Sequence, residues 1–370
     1  MSRLSFDIFC RVVDNFGDIG VCWRLARQLA GMPEQYAVRL WVDDLNSFAR
    51  IEPRLGGVIP GALLDGVDIV HWTAPAPDLA PHAVVIEAFA CNPPPPFIAR
   101  MRQRDSVWIN LEYLSAERWV ASCHAMPSKQ ANGLRKAFFF PGFTPDTGGL
   151  LREPGLLSRR DAWLADPLCR TRLLRKIGVP DAHIASLGEG ARQVLLFSYP
   201  DAPADSLIDA LAAQVEPAVI LAPAGVCPGL SRGQHGPVYV HDMPFVDQAD
   251  FDRLLWSSDL NCVRGEDSLV RALWAGKPLL WHIYPQDDDA HMAKLDAWLA
   301  LSPFPPSISA LMTAWNRGER DQCRTLLKQA LPPAAWAPWR TACASWSRQL
   351  SQQQDLASAL TRFCLELQKS

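Results

Sequence analysis

Apolar runs of strand length recur along this chain, each followed by a helical or loop-like stretch, and they fall into two series. The first opens at Leu4–Val13, with Phe6, Ile8, Phe9, Val12 and Val13, and continues at 37–42, 67–72, 83–89, 107–111 and 137–140. The second opens at Val194-Leu195-Leu196-Phe197-Ser198-Tyr199 and continues at 218–222, 238–240, 260–263 and 278–283. Runs of this length and content predict strands buried on both faces, as in parallel sheets with crossover helices. Between the series, residues from about 151 to 190 carry Arg152, Arg159, Arg160, Arg170, Arg172 and Arg175 and no comparable strand, which reads as a connection plus helix. A chain of 370 residues exceeds what one core organises, so two domains of roughly 150–200 residues are expected. The predicted fold is α/β, two Rossmann-like domains in tandem at 1–155 and 156–344. Leu350, Leu356, Leu360, Phe363, Cys364 and Leu367 approximate one face of a final helix over about 345–370, expected to pack back on the first domain.

Several function classes lose support at once. The net charge of -3 gives no global reason to expect nucleic acid. None of the ten cysteines stands in a C-x-x-C pair and several fall in apolar runs, so reduced, buried thiols and a cytoplasmic location are expected rather than a disulfide framework or a zinc site. The N-terminus lacks a secretory signal pattern, and no apolar run reaches the length of a membrane span. Gly17 and Gly20 do not make the G-x-G-x-x-G spacing of a dinucleotide site.

Chemistry concentrates at two strand-to-helix turns. In Val13-Asp14-Asn15-Phe16-Gly17-Asp18-Ile19-Gly20, two carboxylates four residues apart follow the first strand. Cys22, Leu25, Ala26, Leu29 and Ala30 then recur at helical spacing. Open parallel sheets bind ligands beyond their strand ends, which puts Asp14 and Asp18 at the rim of a cleft. Two readings stand here: an acid pair that works on a substrate, or Asp18 as a helix cap and Asp14 as a turn former.

The second turn is Asn261-Cys262-Val263-Arg264-Gly265-Glu266-Asp267-Ser268, after a strand and before a helix expected to begin near Leu269. Backbone N–H groups at such a helix start, with the positive end of its dipole, suit a phosphate or sugar. Capping by Asp267 or Ser268 explains only part of this set of cation, glycine, two acids and hydroxyl. Phe197, Tyr199, Phe245, Gln248 and Phe251 also follow strands, where aromatics can sandwich a base and an amide can bond its edge. Asp287-Asp288-Asp289, near His282 and His291, lacks the ligand spacing of a zinc or calcium loop, so no metal is assigned.

Tandem α/β domains with carboxylates in the first and a phosphate-friendly loop in the second resemble a GT-B glycosyltransferase, whose active-site cleft lies between its domains. The detailed resemblance is to the EarP family, protein-arginine rhamnosyltransferases that modify bacterial elongation factor P. It is carried by Asp14-Asn15-Phe16-Gly17-Asp18-Ile19-Gly20-Val21-Cys22-Trp23-Arg24-Leu25-Ala26-Arg27, Pro244-Phe245-Val246-Asp247-Gln248 and Arg264-Gly265-Glu266-Asp267-Ser268, with Asn110-Leu111-Glu112-Tyr113-Leu114-Ser115 and Tyr284-Pro285-Gln286 in support.

The resemblance implies an inverting, metal-independent transfer of L-rhamnose from dTDP-β-L-rhamnose to an arginine at a loop tip of elongation factor P, activating it, with no further cofactor. It implies Asp18 as general base, Asp14 as the acid that orients the acceptor guanidinium and Glu266 as a third carboxylate near the donor. Asn15, Phe16 and Gly17 join the substrate-binding positions, with Phe197, Tyr199, Phe245, Gln248, Phe251, Arg264, Asp267, Ser268 and Tyr284 for the nucleotide and diphosphate. A GT-B enzyme with a small-molecule acceptor and a non-catalytic nucleotide-sugar-binding protein are the competing readings.

Overall fold

A computed structural model describes residues 4–14, 16–57, 63–286 and 289–369. Asn15, Asp287 and Asp288 therefore lie outside the described residues. The chain divides into two compact units, Met1–Pro154 with Gln353–Ser370, and Gly155–Gln352.

The first unit is built on β1 (Ser5–Cys10), β2 (Ala37–Val42), β3 (Leu63–Leu64), β4 (Val67–His71), β5 (Val84–Ala88), β6 (Val107–Leu111), β7 (Pro127–Lys129) and β8 (Arg135–Phe139). They form one sheet in the order β3-β4-β2-β1-β5-β6-β8-β7, parallel except where β3 and β7 close its edges. Alternation along the strands splits the core in two. Phe6, Ile8 and Cys10 pack with Val84, Ile86 and Ala88 against the helices Gly17–Ala30 and Leu356–Lys369. Phe9, Trp41, Val85 and Trp108 face the other way, onto Phe97 and Met101 of the helix Pro95–Arg104.

The chain rejoins this unit later than expected. Cys343, Trp346 and Leu350 are buried in the helix Pro333–Ser351 of the second unit, so Leu350 does not share a face with Leu356. The break comes at 352–355, where Asp355 accepts from the Ser358 N–H (3.1 Å) and from Gln28 Nε2 (2.6 Å), starting the last helix against the first unit.

The second unit carries β9 (Arg192–Leu196), β10 (Ala218–Pro223), β11 (Gly233–His235), β12 (Val238–Met243), β13 (Leu260–Arg264) and β14 (Leu279–His282), in the order β11-β12-β10-β9-β13-β14. Only β11 runs antiparallel. The stretch 151–190 forms three helices, Leu156–Ala165, Pro167–Lys176 and Asp181–Gly188.

Both sheets grow outward from a central strand, then restart on its other flank. The order reverses between β1 and β5 in the first unit and between β9 and β13 in the second. Loops beyond the carboxyl ends at such a reversal diverge to opposite faces and leave a crevice, the usual ligand position in open parallel sheets.

Candidate functional site

In the first unit, the loop after β1 carries the acid pair at this crevice. The helix starts at Gly17, so Asp18 belongs to its first turn, and the N-cap Phe16 makes no side-chain capping bond. Asp18 Oδ2 reaches backward and accepts from the N–H groups of Val13 (2.8 Å) and Asp14 (2.9 Å). The residue is 2% exposed, and its carboxylate is held by two backbone donors at the positive end of the helix dipole. Asp14 is half-buried, and its carbonyl accepts from the Gly17 N–H at 2.6 Å.

Gly17 is required by this packing. A Cβ there would lie 2.6 Å from Asp14 Oδ2 and 3.3 Å from Cγ, a clash that the carboxylate relieves only by moving. Gly17→Ala should therefore leave the fold intact while displacing the Asp14 carboxylate from its place beside the turn. A crystal structure of the variant beside a melting curve checks this.

In the second unit, Phe197 and Tyr199, after β9, and Arg264, at the end of β13, stand on the two sides of the strand reversal. The helix begins at Gly265, four residues before Leu269, so Glu266, Asp267 and Ser268 form its first turn rather than a preceding loop. Gly265 makes the strand-to-helix switch with φ +64, and its carbonyl accepts from Trp281 Nε1–H at 2.8 Å. Arg264 is the N-cap and makes no side-chain capping bond. Its guanidinium lies over the rings of Phe197 (4.7 Å) and Tyr199 (5.0 Å), so a cation stands on an aromatic floor beside the first N–H groups of the helix.

The floor extends through edge contacts, Phe197 to Phe251 at 5.3 Å and Tyr199 to Tyr284 at 5.7 Å. Tyr284 is 44% exposed, whereas Phe197, Tyr199 and Ser268 are buried. Phe245 is half-buried in the loop after β12, and buried Gln248 opens the helix Gln248–Ser257, which Asp247 caps by accepting from the Asp250 N–H at 2.8 Å. The structure thus joins Phe197, Tyr199, Phe251, Arg264 and Tyr284 by direct ring contacts, with Phe245 and Gln248 at the end of a neighbouring strand.

Two side chains here were not legible as site residues. Lys294, from the helix Ala290–Leu301, donates to Glu266 Oε1 at 2.5 Å and sets a second cation beside the helix start. Nothing in its sequence neighbourhood marks it. His282 ends β14, packs edge-on to Tyr199 at 5.3 Å and is 3.8 Å from Asp201. Burial pushes this imidazole down to about 4, aided by Arg264 and His291 and opposed by Asp201.

His282 is therefore neutral in the fold, while an unfolded chain protonates it near about 6.5. Its contribution to stability is full above that value and is lost as pH falls toward 4. Urea melts across this window should show stability falling with pH, and His282→Gln should flatten the fall.

Among the described residues, no group of three His, Cys, Asp or Glu side chains is placed to hold a metal ion. All ten cysteines are free, and burial pushes the thiols of Cys91, Cys262 and Cys364 up, so they stay protonated and serve packing. No described helix is long and apolar enough to cross a membrane.

The family model for the elongation-factor P (EF-P) rhamnosyltransferase EarP matches residues 6–365. The chain belongs to the EarP family. Protein-arginine rhamnosyltransferases of Pseudomonas putida and of Neisseria meningitidis are similar to it, at 45% identity over 98% of both chains and at 36% over 98% of this chain and 97% of theirs. A structure solved to explain EarP-mediated arginine glycosylation of translation elongation factor EF-P superposes with a TM-score of 0.65 at 32% identity, covering 97% of this chain and 98% of that one. Arabidopsis thaliana UGT89C1 complexed with UDP shares the fold alone, with a TM-score of 0.53 at 10% identity over 98% and 99% of the two chains. As an EarP protein the chain is a glycosyltransferase of GT-B architecture, two parallel-sheet units each with a strand reversal.

Proposed function

We propose that this chain is an inverting protein-arginine rhamnosyltransferase that moves L-rhamnose from dTDP-β-L-rhamnose to one arginine of translation elongation factor P in the cytoplasm. Two observations, one in each unit, support the division of labour: a fixed acid turn after β1 and an aromatic, cation-bearing helix start after β13.

In the second unit, the Glu266, Asp267 and Ser268 N–H groups with Arg264 take the diphosphate, as helix N-termini take anions. Phe197, Tyr199, Phe245 and Phe251 hold the flat base, and Gln248 bonds its edge. Tyr284 is exposed where the donor enters. Glu266 keeps Lys294 in place, so the carboxylate acts on the donor side through that ammonium.

A guanidinium has a pKa above about 12 and delocalised lone pairs, so it is a poor nucleophile until it loses a proton. Asp14 holds and orients the cation, and Asp18 removes one proton from the attacking nitrogen. That nitrogen forms the C–N bond at the anomeric carbon as the bond to the β-phosphate oxygen breaks, the electron pair leaving with dTDP. One displacement converts the β-linked donor to an α-linked product, and the substituted guanidinium keeps its positive charge. The leaving diphosphate is met by N–H dipoles and Arg264 already in place, and such preorganised stabilisation supplies much of an enzyme's acceleration. No metal or further cofactor enters this scheme.

The test is donor choice and anomeric outcome. Calorimetry should give tighter binding of dTDP-β-L-rhamnose than of UDP-glucose, and NMR of the product should show an α-rhamnosyl arginine. A β-linked product would overturn the single displacement, and transfer to a small molecule in preference to the protein would favour the competing reading.

A further inference from the structure

Arg264 has a buried polar neighbour. His282 is its register partner across β13 and β14, strands that lie about 4.8 Å apart. Tyr199 touches both, under the Arg264 guanidinium at 5.0 Å and edge-on to the imidazole at 5.3 Å. His282 is 1% exposed, yet its Nδ1 has no hydrogen-bond partner among the described residues. Its Nε2 stands 3.8 Å from Asp201 Oδ1, beyond hydrogen-bond reach. A buried polar group left in this state in a native fold calls for a ligand, a water or a task.

The ring is held where it is by its chain neighbours. Asn316, at the end of the helix Pro306–Asn316, accepts from the Ile283 N–H at 2.9 Å and donates to the Trp281 carbonyl at 2.7 Å. Among the described residues, three charged or titratable groups act on the imidazole: Asp201 from the loop after β9, Arg264 from the end of β13 and His291 from the helix Ala290–Leu301. The helix Gly265–Ala275 also packs on β14, and of its charged residues, Glu266, Asp267 and Arg271, none does so; Pro306–Asn316 carries no charge. Arg264 and His291 oppose a further cation at this position, and Asp201 alone favours one.

The donor reverses that balance. A nucleotide sugar brings a diphosphate with one negative charge on each phosphorus, and both phosphates are diesters that do not titrate near neutral pH. Set on Arg264, the pair outweighs a single guanidinium, and the adjacent imidazole has both nitrogens uncommitted. We infer that His282 is a donor-binding residue that takes one proton from solvent as the diphosphate binds, so that an imidazolium joins Arg264 in holding it. Transfer then frees the β-phosphate as a terminal group, whose second ionisation near about 6 adds negative charge on the leaving side. The imidazolium is in place before that charge appears, and its proton returns to solvent as dTDP leaves. The inference rests on the rhamnosyl-donor reading and adds a binding residue to it.

Calorimetry of dTDP-β-L-rhamnose with the full chain, in buffers of low and high protonation enthalpy, counts the protons taken up. A site that gains a proton on binding makes a tighter complex at lower pH. The expected result is an uptake of about half a proton or more per donor at about pH 5.5, vanishing toward about pH 8, with affinity rising up to about tenfold per unit as pH falls through the window of uptake. His282→Gln should bind about tenfold or more weakly at about pH 5.5 and without that uptake, whereas His291→Gln should keep it. Asp201→Asn, at an exposed position, should lower the uptake by removing the carboxylate that favours the imidazolium. Wild type that binds the donor with no proton taken up overturns the inference and leaves the donor reading standing. An uptake that persists in His282→Gln does the same, and should that variant not fold, an uptake unchanged in Asp201→Asn does so. Wild type that binds no dTDP-β-L-rhamnose overturns the donor reading and the inference with it.

Discussion

Asp18→Asn should lower turnover by about 10²–10⁴-fold, the range for loss of a positioned general base, with donor affinity unchanged. The substitution is informative because the amide oxygen of Asn can still accept from the Val13 and Asp14 N–H groups that hold Asp18 Oδ2. The turn therefore survives, and the carboxylate proposed as the base does not. Calorimetry with donor alone, beside single-turnover kinetics with both substrates, separates the two. If Asp18→Asn loses donor affinity while turnover per bound complex is kept, Asp18 is not the base. Asp14→Asn invites the same comparison but a different split: an acid that only orients the acceptor should raise acceptor KM along with lowering kcat.

The second large effect is on stability. Arg271, in the helix Gly265–Ala275, donates to both oxygens of Asp252, in the helix Gln248–Ser257, at 3.0 and 2.6 Å, with both side chains buried. Removing one partner takes this two-pronged contact from a buried charge, at a cost of about 3–5 kcal/mol. Asp252→Ala should thus lower the unfolding free energy of the second unit by that amount in urea melts. It should also weaken donor binding, since this pair ties the helix that begins at Gln248 to the helix whose first turn is Glu266, Asp267 and Ser268. Because these are two units, a melt with two transitions is expected, and only one should move.

What could be read without coordinates was decided by burial. Central strands such as Ile8 in β1, Leu40 in β2 and Ile220 in β10 are apolar on both faces and stand out as continuous runs. The short edge strands β3, β7 and β11 carry no such run, because an edge pair needs no second buried face. The switch from strand to helix was misplaced at Gly265. Its polar first turn, Glu266 to Ser268, reads as loop to a hydrophobic pattern although the helix has already begun.

The site followed the same logic. Asp14, Asp18 and the Arg264–Ser268 set were visible because they sit within a few residues of strand ends. Lys294 reaches Glu266 from 28 residues away, and His282 owes its neutral state to burial, so neither carries a local signal. The C-terminal helix was legible as a period but not in its start, since Leu350 and Leu356 are both apolar and only tertiary packing gives them to different units.

The account turns on transfer of one sugar to one arginine. Elongation factor P incubated with dTDP-β-L-rhamnose and this chain should gain the mass of a single deoxyhexose by intact-protein mass spectrometry, and fragment spectra should place it on one arginine. An acceptor left unmodified beside a Pseudomonas putida protein-arginine rhamnosyltransferase that modifies it would contradict the account.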